Sequence, residues 1–114
     1  MIEPVLVSLL RPLAVGGIHA DTAPMGVKYP FITYQQVGGQ AVNFLDPTVP
    51  DKKHARIQIN VWATSRQEST TLIRQIEDLL RSPPANGYVE GASVSQYNFD
   101  AGLYGSRQDF SFWF

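Results

Sequence analysis

Alternation is cleanest from Ala55 to Ala63, where Ile57, Ile59, Val61 and Ala63 fall on one face and Arg56, Gln58, Asn60 and Trp62 on the other. That period of two is the signature of a half-buried strand. Directly after it, Ser65-Arg66-Gln67-Glu68 has the form of a capping box, in which a hydroxyl and a carboxylate satisfy the amides left free at a helix start. Leu72, Ile73, Ile76, Leu79 and Leu80 then recur at spacings of three and four, with Arg74, Gln75, Glu77, Asp78 and Arg81 elsewhere, up to Pro83-Pro84. The pattern predicts an amphipathic helix packed by one face on the sheet.

Other segments are less regular. Ile2, Val5, Leu6, Leu9 and Leu10 predict a short N-terminal helix ending before Pro12, with Pro4 tolerated in its first turn. Val15-Gly16-Gly17-Ile18 is a turn signal, and Ala20 to Pro30 reads as a loop with a short extended piece near Ile18. Phe31 to Val37 is β-branched and aromatic, bounded by Pro30 and Gly38-Gly39, and reads as a strand. Tyr88 to Tyr97 supplies a weaker strand around Val94, Asn98 to Gly105 a connection, and Arg107 to Phe114 a strand with Phe110, Phe112 and Phe114 together. The expected fold is one α+β domain over 1–114: a mainly antiparallel sheet of about four strands with two helices, one packed on a sheet face.

The stretch from Gly38 to His54 holds two glycines, two prolines and the charged run Asp51-Lys52-Lys53. It is longer than an ordinary hairpin loop and too poor in apolar residues to order itself, so it is expected to be a mobile loop when the subunit is free. Phe44 and Leu45 are its large apolar anchors, and Asp51, Lys52 and Lys53 its solvated rim. Trp62 and Trp113 fall opposite the aliphatic and Phe faces of their strands. Two tryptophans on a second face predict an interface there, or a covering element such as the N-terminal helix.

Composition narrows the function. Charged residues make up 17% of the 114, below the usual quarter, and the net charge is −1. Without a basic face the electrostatic drive for nucleic-acid binding is missing, so DNA or RNA is not expected as the main partner. The absence of cysteine removes disulfides and thiolate chemistry and fits an intracellular site of folding. The segment Ile2 to Leu10 lacks a basic leader and a cleavage site and reads as a mature helix. No apolar run approaches the roughly 20 residues that span a bilayer, so no membrane partner is expected.

No cofactor is expected, because Gly16-Gly17 and Gly38-Gly39 lack the context of phosphate-binding loops. His19 and His54 show no metal-ligand spacing with Asp21 or Asp51. Nothing singles out a catalytic pair among Asp46, Asp51, Asp100 and Asp109. Arg56 and Arg107 are expected to form cross-strand pairs with Asp109 or Glu90 rather than to bind phosphate.

Three segments carry a resemblance: Ala23-Pro24 with Tyr29-Pro30-Phe31-Ile32-Thr33-Tyr34-Gln35, then Arg56 through Ala63, and finally Ser106-Arg107-Gln108-Asp109-Phe110-Ser111-Phe112-Trp113. In this order they resemble the tail-completion family of long-tailed bacteriophages and prophages, of the head-to-tail joining and tail-terminator type. The resemblance implies an α+β structural subunit without active site or cofactor. Such subunits form a ring homo-oligomer, a hexamer among the expected sizes, at the end of the tail tube. The implied partners are other copies of the chain, the tail-tube protein and the head connector; the implied location is the host cytoplasm during assembly and then the tail or neck of the virion. Two other classes stay open on the residues alone: a small α+β enzyme or ligand-binding domain, and a tail assembly chaperone or minor tail-tube subunit.

Overall fold

The computed structural model describes all residues, 1–114. In chain order the elements are α1 (Glu3–Leu10), a 3-10 turn (Arg11–Leu13), β1 (Ile18–Ala20), β2 (Phe31–Gln36), β3 (His54–Ala63), α2 (Arg66–Arg81), β4 (Tyr88–Val89), β5 (Val94–Asn98) and β6 (Leu103–Trp113). They make an α+β fold with one six-stranded sheet in the order β1-β2-β3-β6-β4, with β5 on the same flank of β6 as β4. The sequence predicts about four strands and the structure has six.

Each discrepancy has a local cause. β1 is only three residues long and pairs with β2 in parallel, the one departure from an antiparallel sheet. Its return to β2 is a loop rather than a helix, held at Gly16, where a Cβ would lie 1.9 Å from the Lys28 carbonyl oxygen. The weak strand predicted over Tyr88 to Tyr97 is two strands. Val89 faces Phe110 and Val94 faces Arg107, so Glu90 to Ser93 on one side oppose only Gln108 and Asp109 on the other. This double bulge splits the arm of the sheet. The Gln108 amide, buried on the helix side, steadies it by donating to the Gly91 carbonyl at 2.8 Å and to Glu77 Oε1 at 2.7 Å. The predicted connection Asn98 to Gly105 is a β-hairpin: Asn98 Oδ1 accepts the Ala101 amide at 3.1 Å, and β6 starts at Leu103 rather than Arg107.

The core lies between the sheet and the two helices. α2 starts where the capping box predicts, with Ser65 Oγ accepting the Glu68 amide at 3.1 Å. Glu68 reaches back to the Thr64 amide at 3.4 Å, one residue before the cap. Leu72, Ile73, Ile76 and Leu80 are buried against Ile57, Ile59 and Val61 of β3 and Phe110 and Phe112 of β6. Each such side chain contributes about 1.5–3 kcal/mol relative to exposure. One turn earlier, Ser69 Oγ meets Ser106 Oγ at 2.7 Å, a buried pair that lets helix and sheet approach closely. α1 joins the same cluster through Leu6 and Leu10, both fully buried. No buried side-chain polar atom lacks a partner.

Candidate functional site

Because α1 and α2 lie on the same side, no helix covers the second face of the sheet. Of the two alternatives for the tryptophan face, an interface or a cover such as the N-terminal helix, the helical cover is overturned: α1 spends its apolar residues on the core. Cross-strand register sets out what the second face displays. His54 stands opposite Trp113, Arg56 opposite Ser111, Gln58 opposite Asp109, Asn60 opposite Arg107 and Trp62 opposite both Gly105 and Phe31.

The middle of this face is polar and internally paired. Arg56 Nε donates to Asp109 Oδ2 at 2.9 Å, and its Nη1 lies 3.6 Å from Glu90 Oε2. Ser111 Oγ donates to Glu90 Oε1 at 2.9 Å. The cross-strand pairing expected of Arg56 is present, whereas Arg107 forms no ion pair. A shallow groove of about 280 Å³ runs over Arg56, Glu90, Arg107 and Asp109. Its Arg56 is already committed to carboxylates, so the groove offers no converging free cations. Nowhere do three or more His, Asp or Glu side chains assemble as a metal site. His19 Nε2 bonds the Gly16 carbonyl at 2.8 Å and His54 Nδ1 accepts the Gln40 amide at 2.8 Å.

The predicted interface residues do not form one patch. Trp62 lies at the end of the sheet where β2 begins and the β5–β6 hairpin turns; Trp113 lies at the opposite end, 52% exposed, its ring 4.6 Å from the His54 ring. Phe44, Leu45, Asp51, Lys52 and Lys53 share the Trp113 end, on segment 37–53 between β2 and β3, hereafter the arm. The predicted loop Gly38 to His54 thus ends one residue early, since His54 opens β3. The arm is stitched at its base: the Arg56 amide donates to the Gly38 carbonyl, and Lys53 and Phe114 exchange backbone bonds at 2.7 and 2.9 Å. Residues 41–52 make no backbone–backbone hydrogen bond. Leu45 is fully exposed and Phe44 half exposed. Asp51, Lys52 and Lys53 are exposed and form no ion pair.

Two features escape the sequence reading. At the far end, Trp62 lies over Gly105, where an added Cβ would come within 2.7 Å of its ring, a close approach that calls for glycine in the strand. Beside it the crossing loop 21–29 and the hairpin turn border an open depression of about 340 Å³, in which Tyr29, Phe31, Trp62 and Leu103 stand beside the polar Asp21 and Asn98. That loop, not α1, is the partial cover of the second face. The hairpin also carries Tyr97, Phe99 and Tyr104, with Tyr97 in edge-to-face contact with Tyr104 at 4.9 Å and with Phe99 at 5.1 Å between ring centres, and Phe99 89% exposed. Arg66 holds this hairpin to α2 by donating to the carbonyls of Gly105 and Gln96 with its guanidinium 5.5 Å from the Tyr104 ring centre. The signal was available: Asn98, Asp100 and Gly102 are turn residues between two aromatic runs.

One acid of the arm is displaced from its ordinary range. Asp46 is held below the usual carboxylate range by the Thr48 hydroxyl first and then by the Thr48 amide, which donates to Oδ1 at 2.9 Å. This is a turn-forming contact on an exposed segment rather than an acid tuned for catalysis.

No helix is long and apolar enough to cross a membrane. Comparison with curated proteins returns no match. The sequence model of the family described as Tail completion protein gp17 matches residues 5–114, which takes in every strand, α2 and nearly all of α1. The match runs through both ends of the sheet and the bare face between them, and by it the chain belongs to the phage tail-completion family, a family of structural tail proteins rather than enzymes.

Proposed function

We propose that this protein completes the phage tail by closing as a ring of identical copies on the end of the tail tube, where it offers the head connector a surface to join. One observation carries the reading beyond the family: helices clothe only one face of the sheet, and exposed large apolar side chains gather at the two ends of the molecule, Leu45 and Trp113 at one and Tyr29 and Phe99 at the other. Clustered exposed apolar side chains of this kind mark protein contacts. The elongated body, 52 × 26 × 23 Å with a radius of gyration of 15.1 Å, fits a subunit whose contacts lie at its ends. A compact chain of this length has about 13 Å. Assembly takes place in the host cytoplasm, and the finished ring resides in the tail or neck.

Deletion of the gene in its phage, examined by electron microscopy, is the test. Filled heads and separate tails are expected to accumulate, and wild-type particles are expected to show several copies at the tail end. Normal joined particles from the deletion would refute the role in joining; a single copy per particle would refute the ring.

A further inference from the structure

We infer that the ring is closed by the arm of one copy, which inserts Phe44 and Leu45 into the aromatic-bearing depression between loop 21–29 and the β5–β6 hairpin of the next copy. The inference rests on the ring reading above and names its contact surfaces.

The arm cannot reach its own depression. Gln40 is held to His54 by its amide, and the four residues from there to Phe44 span at most about 14 Å fully extended. His54 and Trp62 are eight residues apart on the single strand β3, about 26 Å at the rise of a β-strand. Knob and depression therefore sit at opposite ends of the same chain and can meet only between chains.

The chemistry of the two surfaces matches. Phe44 and Leu45 stand on a segment with no backbone–backbone hydrogen bonds, and the depression offers the rings of Tyr29, Phe31 and Trp62, with Asp21, Thr33 and Asn98 as its polar part. Aromatic-lined pockets filled by a large apolar anchor are the usual centres of binding energy at protein interfaces. A net charge of −1 leaves little repulsion between copies. A contact joining one end of a subunit to the other end of its neighbour is heterologous, and repeated around a closing rotation it makes a ring that leaves no knob or depression unfilled.

Because the chain has no cysteine, site-directed crosslinking reads the contact directly. Asn43→Cys beside the knob and Ala101→Cys on the depression are placed on separately tagged chains, mixed at high concentration, and treated with a short bis-maleimide. Mixed dimers are expected. The double variant is expected to give a ladder of trimers and larger species, in solution and in particles from complemented phage. Phe44→Ala with Leu45→Ala should cut the crosslink at least tenfold while the unfolding midpoint stays unchanged. Association by light scattering without an Asn43–Ala101 crosslink would overturn this docking and leave the ring standing. Absence of both, with one copy per tail end, would overturn the two together. A ladder that stops at a dimer would overturn the end-to-end contact, and an arm crosslinked only to tail-tube protein would reassign its partner.

Discussion

Replacing Ile59 by alanine probes the layer on which everything else is built. Ile59 is fully buried in the middle of β3, with Tyr34 and Gln108 as cross-strand neighbours and α2 above it. Removing its three outer carbons loses transfer energy and leaves a cavity that strands on both sides prevent from collapsing, a cost of about 2–5 kcal/mol. For 114 residues the unfolding entropy is about 240 cal/mol/K, so each kcal/mol lowers the melting temperature by about 4 °C and a 3 kcal/mol loss lowers it by about 12 °C. Gln58→Ala is the control one residue away. Gln58 is half-buried on the helix-free face and its side chain makes one 3.4 Å bond with Asn60, so its loss should stay within about 0.5 kcal/mol, or 2 °C. Thermal melts by circular dichroism, with urea titrations at 25 °C, measure both. Equal shifts in the two variants, or a larger one for Gln58, would mean that the faces of β3 are assigned the wrong way round.

Gly105→Val should push Trp62 off the strand and cost about 1–3 kcal/mol; in a Trp113→Phe background the remaining tryptophan fluorescence should move to the red, and an unchanged spectrum would refute the close approach. Arg66→Ala should loosen the β5–β6 hairpin, seen as faster hydrogen exchange at amides of 96–105, at a cost of about 1–3 kcal/mol for its charged hydrogen bonds; unchanged exchange would show that the hairpin needs no tie to α2. The carboxyl of Asp46, followed by NMR, should titrate below the usual carboxylate range and move back up in Thr48→Val. Since its folded value is the depressed one, the turn at 46–48 is intact at neutral pH and opens as pH falls through that value; a wild-type titration at or above the usual value would count against the turn.

The sequence alone determined the elements whose signal is local. The alternation of β3, the Ser65 cap and the stripe from Leu72 to Leu80 each follow from spacing within one segment, and the structure places all three as predicted. The pairing of Arg56 with Asp109 was legible too, because alternation put both on polar faces of long strands. Where pairing partners are distant in the chain, spacing carried less. A three-residue strand such as β1 has no period to detect, and the bulge between β4 and β5 is defined only by its register against β6. The family resemblance rested on the order of strand signatures and survived these local misreadings.

The candidate surfaces divide in the same way. Sequence identified Phe44, Leu45, Trp62 and Trp113 as large apolar residues without an expected place in the core. Only tertiary structure decided that both helices lie on one side, that Trp62 and Trp113 sit at opposite ends of the sheet, and that loop 21–29 and the hairpin form a depression beside Trp62 alone. Periodicity records which way a side chain points from its own strand. Which element then covers that face, and how far it stands from another patch, depends on chain crossings and strand order, and these are set by contacts between residues far apart in sequence.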